Sequence, residues 1–438
     1  MSSVCVTFRI IFLPHLPTRV YIRCEARPWH IQRRLSTFAK CPSFLRNITE
    51  IQVSIKRAWL DLGSTPLALN SLTTRIISAF LRKVARMPRL HTARFSDIEM
   101  ERKHLELLFQ SNSLHHLILD TCGFPDFGWL PPSRIRHLTL FLFAKCEDTE
   151  PLLGHCSANL EVLEITNHSC PMQQSTTLPP FPNLRKLKII DESFHVTHLD
   201  TFVSLAPRLK VLKVYGRREI TGLSALPGGL NRLTINRRSI WDGCFGTRPF
   251  VHLSHLHLTY SRDKVKDDCT GPIIPIIKVI FPNLTTLKLV IHWEFRDIAL
   301  LLARHLPKVT RLELTLDNCP GMRAHDFDIS PCHSNFAEPR GPLKSLFVNT
   351  SRIYAYRILD NCQSWVTGTA LGTNPGLGGP YLQEVEVAFF TSWGGSERLP
   401  GRSFLTQKYE QWLFWGYSHG QIYKRSCVDT YFGEWKYR

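Results

Sequence analysis

Leu184-Arg-Lys-Leu187-Lys-Ile189 carries the pattern from which the architecture of this chain can be read. Aliphatic residues occupy the first, fourth and sixth positions of the sextet, and polar residues stand between them. Nine further copies carry the pattern with conservative aliphatic changes, and they begin at Leu114, Ile135, Leu160, Leu209, Leu230, Leu253, Leu284, Val309 and Leu343. Fainter copies begin at Ile48, Leu90 and Leu382. A short segment that alternates apolar with polar residues is typical of a half-buried β-strand.

The spacing of the sextets indicates a repeat protein. Between Leu90 and Val309 the steps are 24, 21, 25, 24, 25, 21, 23, 31 and 25 residues. Most of these steps fall in the 20 to 29 residue period of a leucine-rich repeat. We therefore predict an α/β leucine-rich-repeat solenoid over residues 45–390. It would be a horseshoe with a parallel sheet on its concave side and irregular helices and loops on its convex side.

The segments between sextets often read as helices that end at a proline. Residues 72–84, 197–205 and 295–306 have aliphatic residues at helical spacing, and each run is soon followed by a proline. Proline lacks a backbone N–H and disfavours helix in the residue before it, so it returns the chain to the next strand.

The residues that alternate with the buried leucines predict a binding face. In the middle of the array they are Lys186, Lys188, Lys213, Tyr215, Arg232, His255, His257 and Lys288. Five of the eight are Lys or Arg and none is a carboxylate, which predicts a contiguous basic band on adjacent strands. The alternative is that any solvated strand face needs polar residues and that lysine is a common choice. Toward the carboxyl end the face becomes mixed, with Arg311 beside Glu313 and then Glu384 with Glu386.

The charge of +18 is unevenly distributed along the 438 residues. Residues 1–100 contain 16 Lys and Arg against 5 Asp and Glu, a net +11 that leaves +7 for the remainder. A basic segment can meet nucleic acid, anionic lipid or an acidic protein, but these cations form no continuous run, which favours a solvated surface.

Both ends differ from the repeats. Residues 1–44 form a basic amino-terminal segment. Residues 391–438 combine aromatic with basic residues, as expected of a cap over the last repeat. The alternative for this tail is stacking on single-stranded nucleic acid, and a nucleic-acid-binding protein is the rival function.

The sequence contains no recognisable catalytic or metal-binding motif. The thirteen cysteines include no Cys-x-x-Cys, so free thiols in the cytoplasm or nucleus are the simplest account. No apolar run is long enough to cross a bilayer. His255 and His257 share a strand face but have no further ligand at metal spacing, and the glycines of 367–380 lack the context of a phosphate cradle. We expect a protein that is not an enzyme and needs no cofactor or metal.

Two features resemble one family. The strand entry Ala206-Pro-Arg-Leu209 and the segment from Arg33 to Val53, which reads RRLSTFAKCPSFLRNITEIQV, resemble fungal F-box proteins with degenerate leucine-rich repeats. The resemblance covers roughly residues 30–390. It implies that the repeats select a protein for ubiquitination while the F-box binds a cullin-based ligase through its adaptor subunit.

The chain departs from that family at its start. An F-box should open with Leu-Pro and three short helices, whereas Leu13-Pro-His-Leu-Pro17 is followed almost at once by the segment described above. At most an F-box remnant is present, and a truncated sequence or a divergent paralogue would each explain this. The implied partners are a protein substrate, acidic or phosphorylated, and the cullin with its adaptor where a functional F-box exists. Nucleic acid and membrane are not favoured, and the chain would act as a monomer within the complex.

Overall fold

The structure is a computed structural model, and it divides into two compact units, Met1–Pro227 and Gly228–Arg438. The residues that it describes are 19–23, 42–54, 77–84, 87–98, 100–122, 130, 133–142, 149–167, 179–191, 203–216, 226–237, 249–260, 279–292, 306, 308–317, 344–351, 384–391, 411–418 and 421–427.

The first unit is a stack of parallel strands taken in sequence order. The strands are β1 (Arg19–Arg23), β2 (Glu50–Ser54), β3 (Thr92–Ser96), β4 (His116–Asp120), β5 (His137–Leu142), β6 (Val162–Asn167), β7 (Lys186–Asp191) and β8 (Val211–Gly216). Each pairs in parallel with the strand before it. Because every sextet from Leu114 to Leu209 ends in one of these strands, the unit is the predicted repeat solenoid.

The second unit repeats this arrangement and then changes direction. Its parallel strands are β9 (Arg232–Arg237), β10 (His255–Tyr260), β11 (Thr286–His292), β12 (Arg311–Asp317), β13 (Ser345–Ser351) and β14 (Glu384–Thr391). The last two strands, β15 (Gln411–Ser418) and β16 (Gln421–Cys427), pair antiparallel. The antiparallel strands lie in the aromatic and basic tail, beyond the last sextet.

Identical positions of successive sextets form the core. Leu117, Leu138, Leu163, Leu187 and Leu212 are partners across neighbouring strands, and each side chain is fully buried. The third aliphatic of each sextet forms a second buried row two residues further along the strand. Burying one such side chain contributes about 2 kcal/mol, so the repeated rows supply most of the driving force for folding.

Helices are few and short in the described part of the chain. The helices described over their whole length are α1 (Pro42–Asn47), α2 (Arg102–Phe109) and α3 (Thr149–Cys156). Of the helices predicted to end at proline, residues 77–81 of the segment 72–84 are helical. Most of 197–205 and 295–306 lies outside the described residues.

The Pro-Asn-Leu junctions have a structural role that the leucine pattern does not reveal. Asn183 Nδ2 donates a hydrogen bond of 2.8 Å to the carbonyl oxygen of Ala158, one repeat earlier. Asn283 Nδ2 makes the same bond, also 2.8 Å, to the carbonyl oxygen of Val251. These side chains therefore satisfy backbone acceptors at the turn that precedes each strand.

The following repeat adds a cation to each junction. Arg208 donates to Asn183 Oδ1 at 3.0 Å, and Lys308 donates to Asn283 Oδ1 at 2.5 Å. Asn159 donates to the carbonyl oxygen of Ser133 in the same way at 2.8 Å. The asparagines thus link successive coils outside the leucine rows.

The sheet extends beyond the range expected of the repeats. Strand β1 lies within the basic segment 1–44, yet Val20 is buried and pairs with Ile51 of β2. The leucine pattern missed this strand because its residues, RVYIR, lack the leading leucine of the sextet. The Leu-Pro pairs near residue 13 lie outside the described residues.

Candidate partner-binding surface

Each sheet has one face covered by the leucine rows and one face made of the alternating side chains, which we call the open face. Lys186, Lys188, Lys213, Tyr215, His255, His257 and Lys288 are partly exposed on it, and Arg232 is exposed. The alternation therefore places all eight predicted residues where the sequence suggested. They are divided equally, because the first four lie in the first unit and the last four in the second.

Strand register arranges the open face of β5 to β8 into three rows that run across the strands. The amino row is His137, Val162, Lys186 and Val211; the middle row is Thr139, Glu164, Lys188 and Lys213; the carboxyl row is Phe141, Thr166, Ile190 and Tyr215. Neighbours within a row are about 4.8 Å apart, and adjacent rows are about 6.6 Å apart. The middle row carries charge, whereas the carboxyl row is mainly apolar.

Glu164 corrects the sequence-based picture of an uninterrupted basic band. Its Oε1 accepts a 2.7 Å hydrogen bond from Lys186 Nζ, and its Oε2 lies 3.8 Å from Lys188 Nζ. Burial alone would raise the pKa of Glu164, but the hydrogen bond from Lys186 and the charges of Lys188 and Lys186 outweigh it and lower that pKa. The carboxylate therefore stays ionised and offsets part of the lysine charge on this face.

Two histidines adjoin this charged group. The rings of His116 and His137 stack with centroids 3.7 Å apart and planes 5° apart. Thr139 Oγ1 lies 3.4 Å from His116 Nε2 and 3.3 Å from His137 Nε2. A hydroxyl has one hydrogen, so Thr139 donates to one imidazole and accepts from the other, which requires a neutral ring.

The surroundings keep the pair neutral. Burial lowers the pKa of His137 to about 4, the proximity of His116 acts in the same direction, and Glu164 opposes both. Burial also lowers the pKa of His116, against the charges of Glu164 and Glu50. At neutral pH this part of the surface therefore carries two uncharged imidazoles, and its positive charge comes from lysine.

The second unit contains a similar charged group on its own open face. Glu313 lies 3.3 Å from Lys288 Nζ and 2.8 Å from Arg311 Nε. His255 stands in the same row as Arg232. Burial lowers the pKa of His255, and the charge of Arg232 lowers it further. One carboxylate again offsets part of the cationic charge.

The sequence predicted Glu313 beside Arg311 on this face, but Glu164 and the stacked histidines were not among the predicted site residues. Both glutamates occupy the fifth position of their sextets, as Lys188 and Lys213 do in theirs. Reading that position on every strand would have found Glu164 as well. The contacts of His116 and Glu164 additionally require the register across three strands, which the alternation alone does not supply.

The described part of the chain gives no indication of a metal site or of a reactive thiol. No group of three or more His, Cys, Asp or Glu is arranged there to hold a metal. Burial raises the pKa of the Cys122 and Cys156 thiols to about 12, which disfavours reactive thiolates. Among the described helices, none has the length and apolar character needed to traverse a bilayer.

Two predicted features involve residues or side chains that the structure does not describe. The glycine-containing loop 367–380 is not among the described residues. In the aromatic and basic tail the backbone of β15 and β16 is described, while the side chains proposed to cap or to stack are not.

Neither the family models nor the curated proteins match this sequence.

Proposed function

We propose that this protein is a recognition subunit that binds another protein on the open face of β5 to β8. The observation that supports this is the grouping of Lys186, Lys188 and Lys213 on β7 and β8, where the first two adjoin the carboxylate of Glu164 and Lys213 is the partner of Lys188. A net positive, partly buried surface attracts carboxylates or phosphates of a partner through charge-assisted hydrogen bonds.

The flanking residues favour a protein partner. Val162, Val211 and Ile190 are partly exposed beside the lysines. A protein interface combines apolar contact area with a few oriented charges. A site selected only for nucleic-acid backbone would need more cations and fewer aliphatic neighbours.

By its resemblance to fungal F-box proteins with leucine-rich repeats, we further propose that the partner is a substrate delivered to a cullin-based ubiquitin ligase in the cytoplasm or nucleus. The adaptor subunit of that ligase would be a second partner. This role needs no catalytic residue or cofactor in the chain itself.

The test combines partner capture with charge reversal. Lys188→Glu with Lys213→Glu should abolish capture of the main co-purifying protein other than the cullin and its adaptor, and leave the folded protein intact, as measured by circular dichroism. Lys210→Glu with Lys344→Glu is the matched control, because both lysines are exposed directly before a strand and the change in charge is the same. Equal capture by the two variants would refute the proposed surface.

The ligase role has its own readout. The cullin and its adaptor should co-purify with the wild-type chain and with the Lys188 and Lys213 variant alike, since the open face would contact only the substrate. Absence of both ligase subunits from the wild-type complex would limit the function to binding.

A further inference from the structure

The carboxyl row beside the lysines is the feature that says most about the form of the partner. It runs from Phe141 on β5 through Thr166 and Ile190 to Tyr215 on β8. Although Thr166 belongs to the open face, only 9% of it is exposed, since bulky residues stand on either side. The row is therefore a mainly apolar strip, to which Phe141, Ile190 and Tyr215 contribute the partly exposed side chains.

The strip has a defined end. On β4 the position in register with Phe141 is Asp120, whose carboxylate forms a 2.8 Å ion pair with Arg94. The guanidinium of Arg94 also lies over the Phe141 ring, 5.9 Å from its centroid. A polar pair thus bounds the apolar strip, which spans three strand spacings, or about 14 Å.

A charged row runs parallel to this strip. Lys188 and Lys213 are partners on neighbouring strands, each two residues before the corresponding member of the strip. The two rows are about 6.6 Å apart, less than the 10 Å diameter of a helix with its side chains. One helix laid along the strip can therefore contact both rows.

The spacing favours a helix over an extended segment. Residues on one face of a helix recur about every 5.4 Å, which differs by about 0.6 Å from the 4.8 Å strand spacing. Alternate residues of an extended segment recur about every 6.6 Å, so that segment loses register after one strand. Three strand spacings correspond to nearly three helical turns.

Resting on the proposed function, we infer that the partner presents an amphipathic α-helix that crosses β5 to β8. Its apolar stripe lies on the carboxyl row, and carboxylates along one flank bind Lys188 and Lys213. Charge complementarity selects the acidic flank, while Glu164 at the β6 position of the middle row repels a carboxylate there. The first acidic residue of the helix is thus expected over β7.

The experiment uses hydrocarbon-stapled peptides of 18 residues, because short helices are marginal in water. One peptide has leucines on one stripe and glutamates on the adjacent flank; a second has lysine in place of each glutamate; a third carries a central proline. Binding to the full chain is measured by fluorescence anisotropy.

We expect the glutamate peptide to bind wild-type protein about tenfold or more tightly than the lysine peptide. Lys188→Glu with Lys213→Glu should invert that preference, and the Lys210→Glu with Lys344→Glu control should not. Ile190→Thr should weaken the glutamate peptide about tenfold, and Ile118→Thr, on β4 of the same open face, should leave it unchanged.

Equal binding of the glutamate and lysine peptides, full binding by the proline peptide, or an unaffected Ile190→Thr variant would overturn the inference. If Ile190→Thr unfolds, a photo-crosslinker on the leucine stripe of the glutamate peptide replaces it, and labelling of strands other than β5 to β8 is then the contrary result. No binding at millimolar peptide, together with partner capture that depends on Lys188 and Lys213, would reject the helix and leave the proposed function standing.

Discussion

The charged groups around Glu164 and Glu313 occupy the same position of the repeat in two different units, yet they form different surfaces. Glu164 neighbours Lys186, Lys188 and the stacked histidines, and an apolar row runs beside it. Glu313 has Lys288 and Arg311. Two strands beyond β12, Glu384 and Glu386 stand in register with Arg311 and Glu313.

The buried and the open rows of a repeat vary independently. Leu187 and Leu287 stand in equivalent fully or almost fully buried positions, whereas the residues that follow them, Lys188 and Lys288, face different neighbours. The core therefore maintains the coil in both units, and the open face is available for recognition.

The largest expected effect is on stability, through the buried leucine rows that both regions contain. Leu187→Ala and Leu287→Ala should each lower the free energy of unfolding by about 3 kcal/mol, because each removes fully packed side-chain volume from an aliphatic row. Urea denaturation monitored by circular dichroism measures the change. A cost below about 1 kcal/mol in either unit would show that its row is not packed as described.

A smaller effect, a loss of stability at acid pH caused by His137, should distinguish the two regions. The pKa of folded His137 is lowered to about 4, below its ordinary value of about 6.5 in the unfolded chain. The unfolded state therefore takes up a proton first, and stability should decline as the pH falls from about 6.5 to about 4. Because the side chain is 30% exposed, we expect a loss on the order of 1 kcal/mol.

The matched variant for this prediction is His137→Asn, in which the decline between these pH values should shrink. Denaturant midpoints at several pH values provide the measurement, with His255→Asn as the comparison in the second unit. An unchanged pH profile for His137→Asn would place the acid sensitivity elsewhere.

The smallest effect concerns the carboxylates themselves. Glu164→Gln and Glu313→Gln should each destabilise the fold by about 1 kcal/mol, because each carboxylate pairs with two cations. Glu164→Gln should also strengthen capture of an acidic partner, since it removes the one negative charge of the group. Weakened capture by a folded Glu164→Gln protein would contradict the proposed charge complementarity.

Much of the fold followed from a local pattern. The alternation in Leu184-Arg-Lys-Leu187-Lys-Ile189 correctly predicted which side chains are buried, and the repeated spacing predicted parallel strands in sequence order. Strand β1 escaped prediction because it lacks the leading leucine. The hydrogen bonds of Asn183 and Asn283 were not predicted, because their acceptors are backbone atoms one repeat earlier.

The amino-acid pattern was sufficient to establish the repeat and its two faces, because a strand turns successive side chains to opposite sides whatever lies next to it. The pairing of Glu164 with Lys186, the stacking of His116 on His137 and the apolar row beside the lysines depend on contacts between residues 21 to 25 positions apart. Those contacts arise only when loops of unequal length bring the strands into register, and this register is a property of the folded stack.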